Sequence, residues 1–201
     1  MGDSLTATEL LTLYAHGSFP MAEQAFDEEF LIVTPKKRAL LPIQNLHISK
    51  SLRKLVRRAP FEIRTDYDFA AVIAACAEAR PDRPETWINA SIQSLFLELH
   101  QMGFAHSIEC WQDEKLVGGL YGLALGGTFC GESMFSRVPN ASKIALVHLC
   151  ARLTASGFSV LDVQFSNPHL EQFGLYEIPQ EEYVRLLHSH LGDRISWLAE
   201  P

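Results

Sequence analysis

Three polar side chains in the C-terminal half of this 201-residue chain have the types and spacing to do chemistry: Glu132, Asp162 and Gln164. Glu132 lies in a stretch, 128–143, that reads as a strand running into a helix start. Asp162 and Gln164 lie in Val160-Leu161-Asp162-Val163-Gln164-Phe165, which reads as a second strand beyond that helix. Side chains alternate along a strand, so Asp162 and Gln164 are expected on one face and Leu161, Val163 and Phe165 on the other. A carboxylate among apolar neighbours is costly unless it is paired or at work. The expectation is that Glu132, Asp162 and Gln164 face one cavity, with Glu132 the leading acid or base and the rest of the chain delivering substrates to it.

Composition limits what those substrates are. The chain is 47% apolar and 20% charged, ordinary for a globular protein with a real core. The first residues, Met-Gly-Asp-Ser-Leu-Thr, carry no basic or long apolar region, so no signal peptide is expected. No apolar stretch reaches the roughly 18 residues that a membrane helix needs, and no membrane partner is expected. Cys76, Cys110, Cys130 and Cys150 are far apart with no CxxC pair, which points to free thiols in a reducing cytoplasm and away from zinc. The formal charge of −7 argues against a polyanionic partner, but its distribution does not. Residues 36–64 hold nine Lys or Arg against one acid, a segment of +8 on a remainder of −15. Such a patch steers a polyanion to one place and repels it elsewhere.

The elements that must position these groups follow from caps and periodicity. Thr6 or Thr8 caps a first helix with Leu10, Leu11 and Tyr14 as its stripe, ended by Gly17. The acidic run 23–29 reads as a solvated loop, and short strands are expected at 30–33 and 39–43. Ser49 caps a helix over 50–58, with Leu52, Leu55 and Val56 inward and Lys50, Arg53, Lys54, Arg57 and Arg58 outward. Those cations form either a solvated face or a phosphate contact; the acidic remainder favours the contact. An edge strand at 61–64 and a helix capped by Asp66 or Asp68 come next, then a break at 81–84. Trp87 is either a packing anchor or a platform on which a base stacks. A helix over 91–102 presents Ile92, Leu95, Phe96 and Leu99, and a glycine-punctuated meander of strands runs from Ala105 to Thr128. Glycines within it mark a bulge or a close backbone approach. The helix after Asn140 links two strands expected to pair in parallel, 167–169 reads as a loop, and a helix over 179–190 closes the domain.

These residues carry a family resemblance. Gly-Glu-Ser-Met-Phe-Ser-Arg, Ala141-Ser142-Lys143, Asp162-x-Gln164, Asn167-x-His169 and Glu177-Ile178-Pro179 resemble the leucyl/phenylalanyl-tRNA–protein transferases. So do Tyr14-x-x-Gly17-x-Phe19-Pro20, Leu46-His47-Ile48-Ser49, Thr86-Trp87-Ile88, Ala105-His106-Ser107-Ile108-Glu109 and Leu116-Val117-Gly118-Gly119-x-Tyr121-Gly122. The motifs are collinear over nearly the whole chain. The resemblance implies an α/β (α+β) fold: a small N-terminal domain, 1–37, before an acetyltransferase-like (GNAT-type) domain with a mixed sheet, 38–201. It implies a cytoplasmic enzyme that moves leucine or phenylalanine from Leu-tRNA or Phe-tRNA onto proteins beginning with Arg or Lys, marking them for degradation. No cofactor or metal and a monomeric state are expected. An acetyl-CoA site is disfavoured, because Arg137-Val138-Pro139-Asn140-Ala141-Ser142-Lys143 lacks the glycines of a pyrophosphate loop.

Carried over residue by residue, the resemblance makes Asp162 and Gln164 a catalytic pair and Glu132 an active-site glutamate lending negative charge. Leu120, Phe129, Leu146, Leu149, Leu153 and Leu161 match an aminoacyl pocket, although pattern alone reads all six as core. Tyr14 and Trp87 match aromatics near the terminal adenosine, and the helix of Lys50, Arg53, Lys54, Arg57 and Arg58 matches the face receiving the tRNA. Met21 departs from a frequent tryptophan, and Leu149 and Leu153 stand where phenylalanine is known. That suggests a roomier pocket accepting both leucine and phenylalanine. A non-catalytic tRNA-binding module and a small-molecule N-acyltransferase are the competing readings. His106 and His169 read as structural.

Overall fold

The computed structural model describes residues 5–23, 27, 29–79 and 86–197. The proline-rich break at 81–84 and most of the acidic run 23–29 lie outside the described residues. Helix α1 (Ala7–Ala15) opens on a capping box, with Thr6 Oγ1 accepting from Glu9 N–H and the Glu9 carboxylate accepting from Thr6 N–H. Strands β1 (Phe19–Met21) and β2 (Leu31–Val33) form a small antiparallel pair. Then come β3 (Lys37–Leu41), α2 (Lys50–Arg58), β4 (Glu62–Thr65), α3 (Phe69–Ala77) and α4 (Ala90–Gln101). The meander is β5 (Ala105–Gln112), β6 (Lys115–Leu125) and β7 (Thr128–Ser136), followed by α5 (Ala141–Ser156) and β8 (Val160–Asp162). A short α6 (Pro168–Glu171), β9 (Tyr176–Pro179) and α7 (Gln180–His190) end the described elements.

Ser49, Asp68 and Asn89 each cap the following helix through a side-chain oxygen, as their types predict. Residues 167–169 differ from the expected loop. Asn167 caps α6, with Pro168 at the first helical position, where its missing N–H costs nothing.

Seven strands make one mixed sheet in the order β4-β5-β6-β7-β8-β3-β9. Every pairing is antiparallel except β7 with β8, which the intervening α5 makes parallel, as expected. Alternation along the strands divides the core by face. Tyr121, Leu123 and Cys130 join α1, α3 and α4, together with Phe19, in one cluster. Leu120, Phe129 and Leu161 join α5 and α2 in another. The four cysteines are buried free thiols, and burial pushes Cys110 and Cys150 up to about 12. No described helix is long and apolar enough to cross a membrane.

Two irregularities shape the centre of the sheet. Opposite Gly122 the β6–β7 register shifts, so Glu132 is an extra residue with no partner between Gly131 and Ser133. This bulge re-aims Glu132 out of the strand alternation. Beyond the Cys130–Asp162 pair β8 stops, while β7 continues to Ser136, so the two strands part just where Glu132 stands. Gly122 permits the bulge: a Cβ there would overlap the Cys130 carbonyl and the Phe129 ring. Gly122→Ala should therefore cost about 1–3 kcal/mol of overpacking strain. Thermal denaturation should show a midpoint roughly 3–10 °C lower, with no comparable loss for Gly192→Ala, whose Cβ meets nothing within 4 Å.

Candidate functional site

The opening between β7 and β8 leads into a cavity of about 600 Å³. Leu120, Leu146, Leu149 and Leu161 form its apolar wall, with Met134 and Leu170. Glu132, Ser133, Asn140, Lys143, Asn167 and His169 supply its polar side. Phe129 and Leu153, also expected in the pocket, do not reach it. Both are fully buried behind its wall, where Phe129 stacks on Trp197 at 5.5 Å between ring centroids. They are core residues here, packed in the same apolar cluster as Phe158.

The three polar residues do not share that cavity side by side. Of the three, Glu132 alone lines it. Strand β8 ends at Asp162, and Gln164 takes a left-handed backbone with φ of 58°, so strand alternation does not carry from one to the other. Gln164 stands behind Glu132, with Nε2 donating to Glu132 Oε1 at 3.4 Å. Asp162 is fully enclosed on the opposite face of the sheet. Its Oδ1 accepts from Arg38 Nε at 2.8 Å and from the Gln164 backbone N–H at 2.9 Å. Its Oδ2 accepts from Arg38 Nη2 at 2.6 Å and from the Tyr183 hydroxyl at 3.0 Å. Asp162 thus orients Gln164 through the main chain, not through its side-chain amide.

Arg38 is the group that sequence reasoning missed, having counted it in the basic patch. It is fully buried, and its third nitrogen, Nη1, donates to the Gly17 carbonyl at 3.0 Å. The rings of Phe19 and Tyr183 lie 4.8 and 4.4 Å from its guanidinium carbon. Burial opposes its charge, but Asp162 outweighs burial, and the guanidinium stays protonated. A signal was present: Arg38 shares a strand face with Leu40, and an enclosed aspartate demands a cation. Arg64 also leaves the patch, held by Glu62 at 2.7 Å and Glu114 at 3.3 Å.

Burial pushes the Glu132 carboxyl up to about 8, with Asp162 adding to the rise while Tyr14 and Arg38 oppose it. Tyr14 is buried beneath Glu132, where burial first and then the Glu132 charge raise its phenol well above the usual range. Its hydroxyl faces the carboxyl without a well-aligned hydrogen bond. Enclosed in this way, Tyr14 offers no face on which an adenine could stack. Trp87 is half-buried and lines a separate cavity of about 370 Å³ with Met21, Leu31 and Val33.

On α2, Lys50, Arg53, Lys54, Arg57 and Arg58 are all exposed, and Leu52 is buried, as periodicity predicts. Lys54 and Arg58 line a groove of about 390 Å³ with Lys143. Asn140 and Lys143 belong to both this groove and the leucine-walled cavity, so the two are contiguous. His106 is structural, stacked on Trp197 and bonded to Asp66 at 2.8 Å. His169 instead lines the cavity, where burial and then Lys143 lower its pKa. Among the described residues no group of three metal-ligating side chains occurs.

Residues 40–188 match the family model described as leucyl/phenylalanyl-tRNA protein transferase. A leucyl/phenylalanyl-tRNA–protein transferase of Phenylobacterium zucineum is 55% identical over 186 residues, covering 92% of this chain and 84% of its own. One from Paramagnetospirillum magneticum is 55% identical over 189 residues, covering 94% and 90%. Among solved structures, a ribosomal-protein-alanine N-acetyltransferase of Brucella melitensis aligns with 70% of this chain and 96% of its own, at 17% identity and a TM-score of 0.38. By the family match over residues 40–188 and the identity to both relatives, the chain belongs to the leucyl/phenylalanyl-tRNA protein transferase family and is an aminoacyltransferase.

Proposed function

We propose that this protein transfers leucine or phenylalanine from aminoacyl-tRNA to the α-amine of proteins beginning with Arg or Lys, in the cytoplasm and as a monomer, tagging them for degradation. The observation that carries this reading is the leucine-walled cavity opening directly onto a groove lined by Lys54, Arg58 and Lys143. An apolar side chain enters the cavity while the phosphates of its tRNA lie along the cations of α2. The cavity and the groove meet at Asn140 and Lys143, and Glu132 lines the cavity with Gln164 behind it.

The donor is an ester, already activated, and the nucleophile is an α-amine that titrates near 7.7–8.0, so a useful fraction is neutral at physiological pH. The amine attacks the ester carbonyl, a C–N bond forms, and the C–O bond to the ribose breaks as the ribose oxygen takes up a proton. The work of the site is to hold two macromolecules in line and to bear the charge that develops. With Nε2 engaged by Glu132, the Gln164 Oε1 is left as the acceptor of the amine's hydrogen. Glu132 favours a cationic acceptor end, because an arriving ammonium or guanidinium stabilises its ionised form. The walls at Leu120, Leu146, Leu149 and Leu161 distinguish side chains differing by one methylene by only about 1–3 kcal/mol, so selection of leucine over valine or isoleucine is incomplete.

The test is to incubate the protein with radiolabelled Leu-tRNA or Phe-tRNA and a peptide beginning with Arg. Label should pass to the peptide from both, and Gln164→Ala should slow it about 10²-fold with tRNA retention unchanged. Retention without transfer would make the chain a tRNA-binding module, and turnover only with acyl-CoA would make it a small-molecule acyltransferase.

The raised Glu132 carboxyl gives a second expectation. The unfolded chain ionises Glu132 near 4.5, whereas the folded one does so only near 8. The folded state therefore loses stability as pH rises between those values, and Glu132→Gln removes that loss. The thermal midpoint of Glu132→Gln should match the wild type near pH 5 and exceed it by roughly 3 °C or more at pH 8. A difference that does not grow with pH would contradict the burial of this carboxyl.

A further inference from the structure

We propose that Arg38 is the positioning residue of the transfer site, setting Gln164 through Asp162 and Glu132 through the end of α1. The inference rests on the transfer reading above, because that reading makes the Glu132–Gln164 contact the place where the amine is received.

One guanidinium reaches both supports. On one side it holds both Asp162 oxygens, and Oδ1 of that carboxylate takes the Gln164 backbone N–H. The next residue of the same strand, Ala39, donates its N–H to the Gln164 carbonyl at 3.1 Å. Gln164 is therefore gripped at both ends of its main chain by what Arg38 and its neighbour hold. That grip matters because Gln164 has a φ of 58°, a conformation that non-glycine residues keep only when the surroundings over-determine it. On the other side, Arg38 Nη1 holds the Gly17 carbonyl. Gly17 closes α1 by donating its N–H to the Tyr14 carbonyl at 2.9 Å, and Tyr14 backs Glu132. Arg38 thus fixes the Gln164 side of its 3.4 Å contact with Glu132 through hydrogen bonds, and on the Glu132 side it holds the turn that carries Tyr14.

A buried ion pair is weak evidence for stability, since apolar residues of similar volume often replace it without loss. Its geometry is harder to replace. Lysine keeps the charge but is a point donor, and it cannot hold a carboxylate bidentately and a carbonyl beyond it.

The test compares wild type with Arg38→Lys and with the double variant Arg38→Met/Asp162→Leu, which leaves no unpaired charge to unfold the chain. Three quantities are read: kcat and KM for transfer from Leu-tRNA to an Arg-peptide, retention of tRNA, and hydrogen exchange of the Gln164 amide by NMR. The expected result is kcat per folded molecule lowered about 10²-fold in the double variant and less in Arg38→Lys. KM and tRNA retention should stay within a few-fold, and the Gln164 amide should lose protection in both variants while the amides of β5 and β6 keep theirs. Activity that falls only with the folded fraction, or a Gln164 amide that stays protected, would overturn the proposal. Absence of transfer by the wild type would count against the transfer reading alone, and the exchange measurement would still decide the role of Arg38.

Discussion

A carboxylate sealed inside a sheet has to be neutralised where it stands, and Asp162 is neutralised by Arg38 through two hydrogen bonds of 2.6 and 2.8 Å. Much of the topology answers to this requirement. Arg38 comes from β3, 124 residues earlier, and β3 is inserted between β8 and β9 so that the two side chains meet. Tyr183, on α7, covers the pair and donates the remaining hydrogen bond to Asp162. Gly17, Phe19 and Tyr183 therefore converge on one guanidinium from the N-terminal segment and the last described helix. On the other face of the same sheet, leucines from β6, α5 and β8 line a cavity. The two faces meet where β7 and β8 part, at Glu132 and Gln164.

Elements whose signals are local were legible in the sequence. The Ser49-capped basic helix, the Asp68 cap, the glycine-punctuated meander and the parallel pairing of β7 with β8 are present as their patterns predict. What pattern could not supply depends on partners far along the chain. β9 exists because β3 pairs with it, and its sequence, Tyr-Glu-Ile-Pro, has no strong strand period of its own. Asp162 was marked by cost alone, and its partner could not be chosen among the cations of residues 36–64 without the sheet order. The strand expected through Phe165 stops at Asp162, because Gln164 turns to bond both Asp162 and Ala39. For the same reason the three polar residues are layered, with Glu132 at the cavity, Gln164 behind it and Asp162 sealed. Phe129 and Leu153 lie one layer behind the pocket wall, a distinction of depth that residue type does not encode.

The division of charge has a functional consequence. With Arg38 and Arg64 tied to acids, five of the seven remaining cations of residues 36–64 lie exposed on α2, and Lys143 joins Lys54 and Arg58 in the groove beside the cavity. This groove adjoins the leucine-walled cavity, so a polyanion lying along it would run up to the cavity mouth, on a protein whose overall charge of −7 discourages binding elsewhere. Burial raises the Glu132 carboxyl to about 8, so near neutral pH it is mostly protonated and repels a nearby phosphate little. A cation brought beside it would favour its ionised form.

The proposed transfer depends on where the aminoacyl end sits relative to Glu132 and Gln164. The most direct measurement is a crystal structure of the protein with adenosine carrying leucine through a non-hydrolysable 3′-amide. The leucyl side chain should lie against Leu120, Leu146 and Leu149, with its carbonyl carbon exposed to an amine held roughly 3–3.5 Å away between Glu132 and the Gln164 side chain. An analogue seated instead in the cavity of Trp87 and Met21, or with its carbonyl turned away from Glu132, would contradict it.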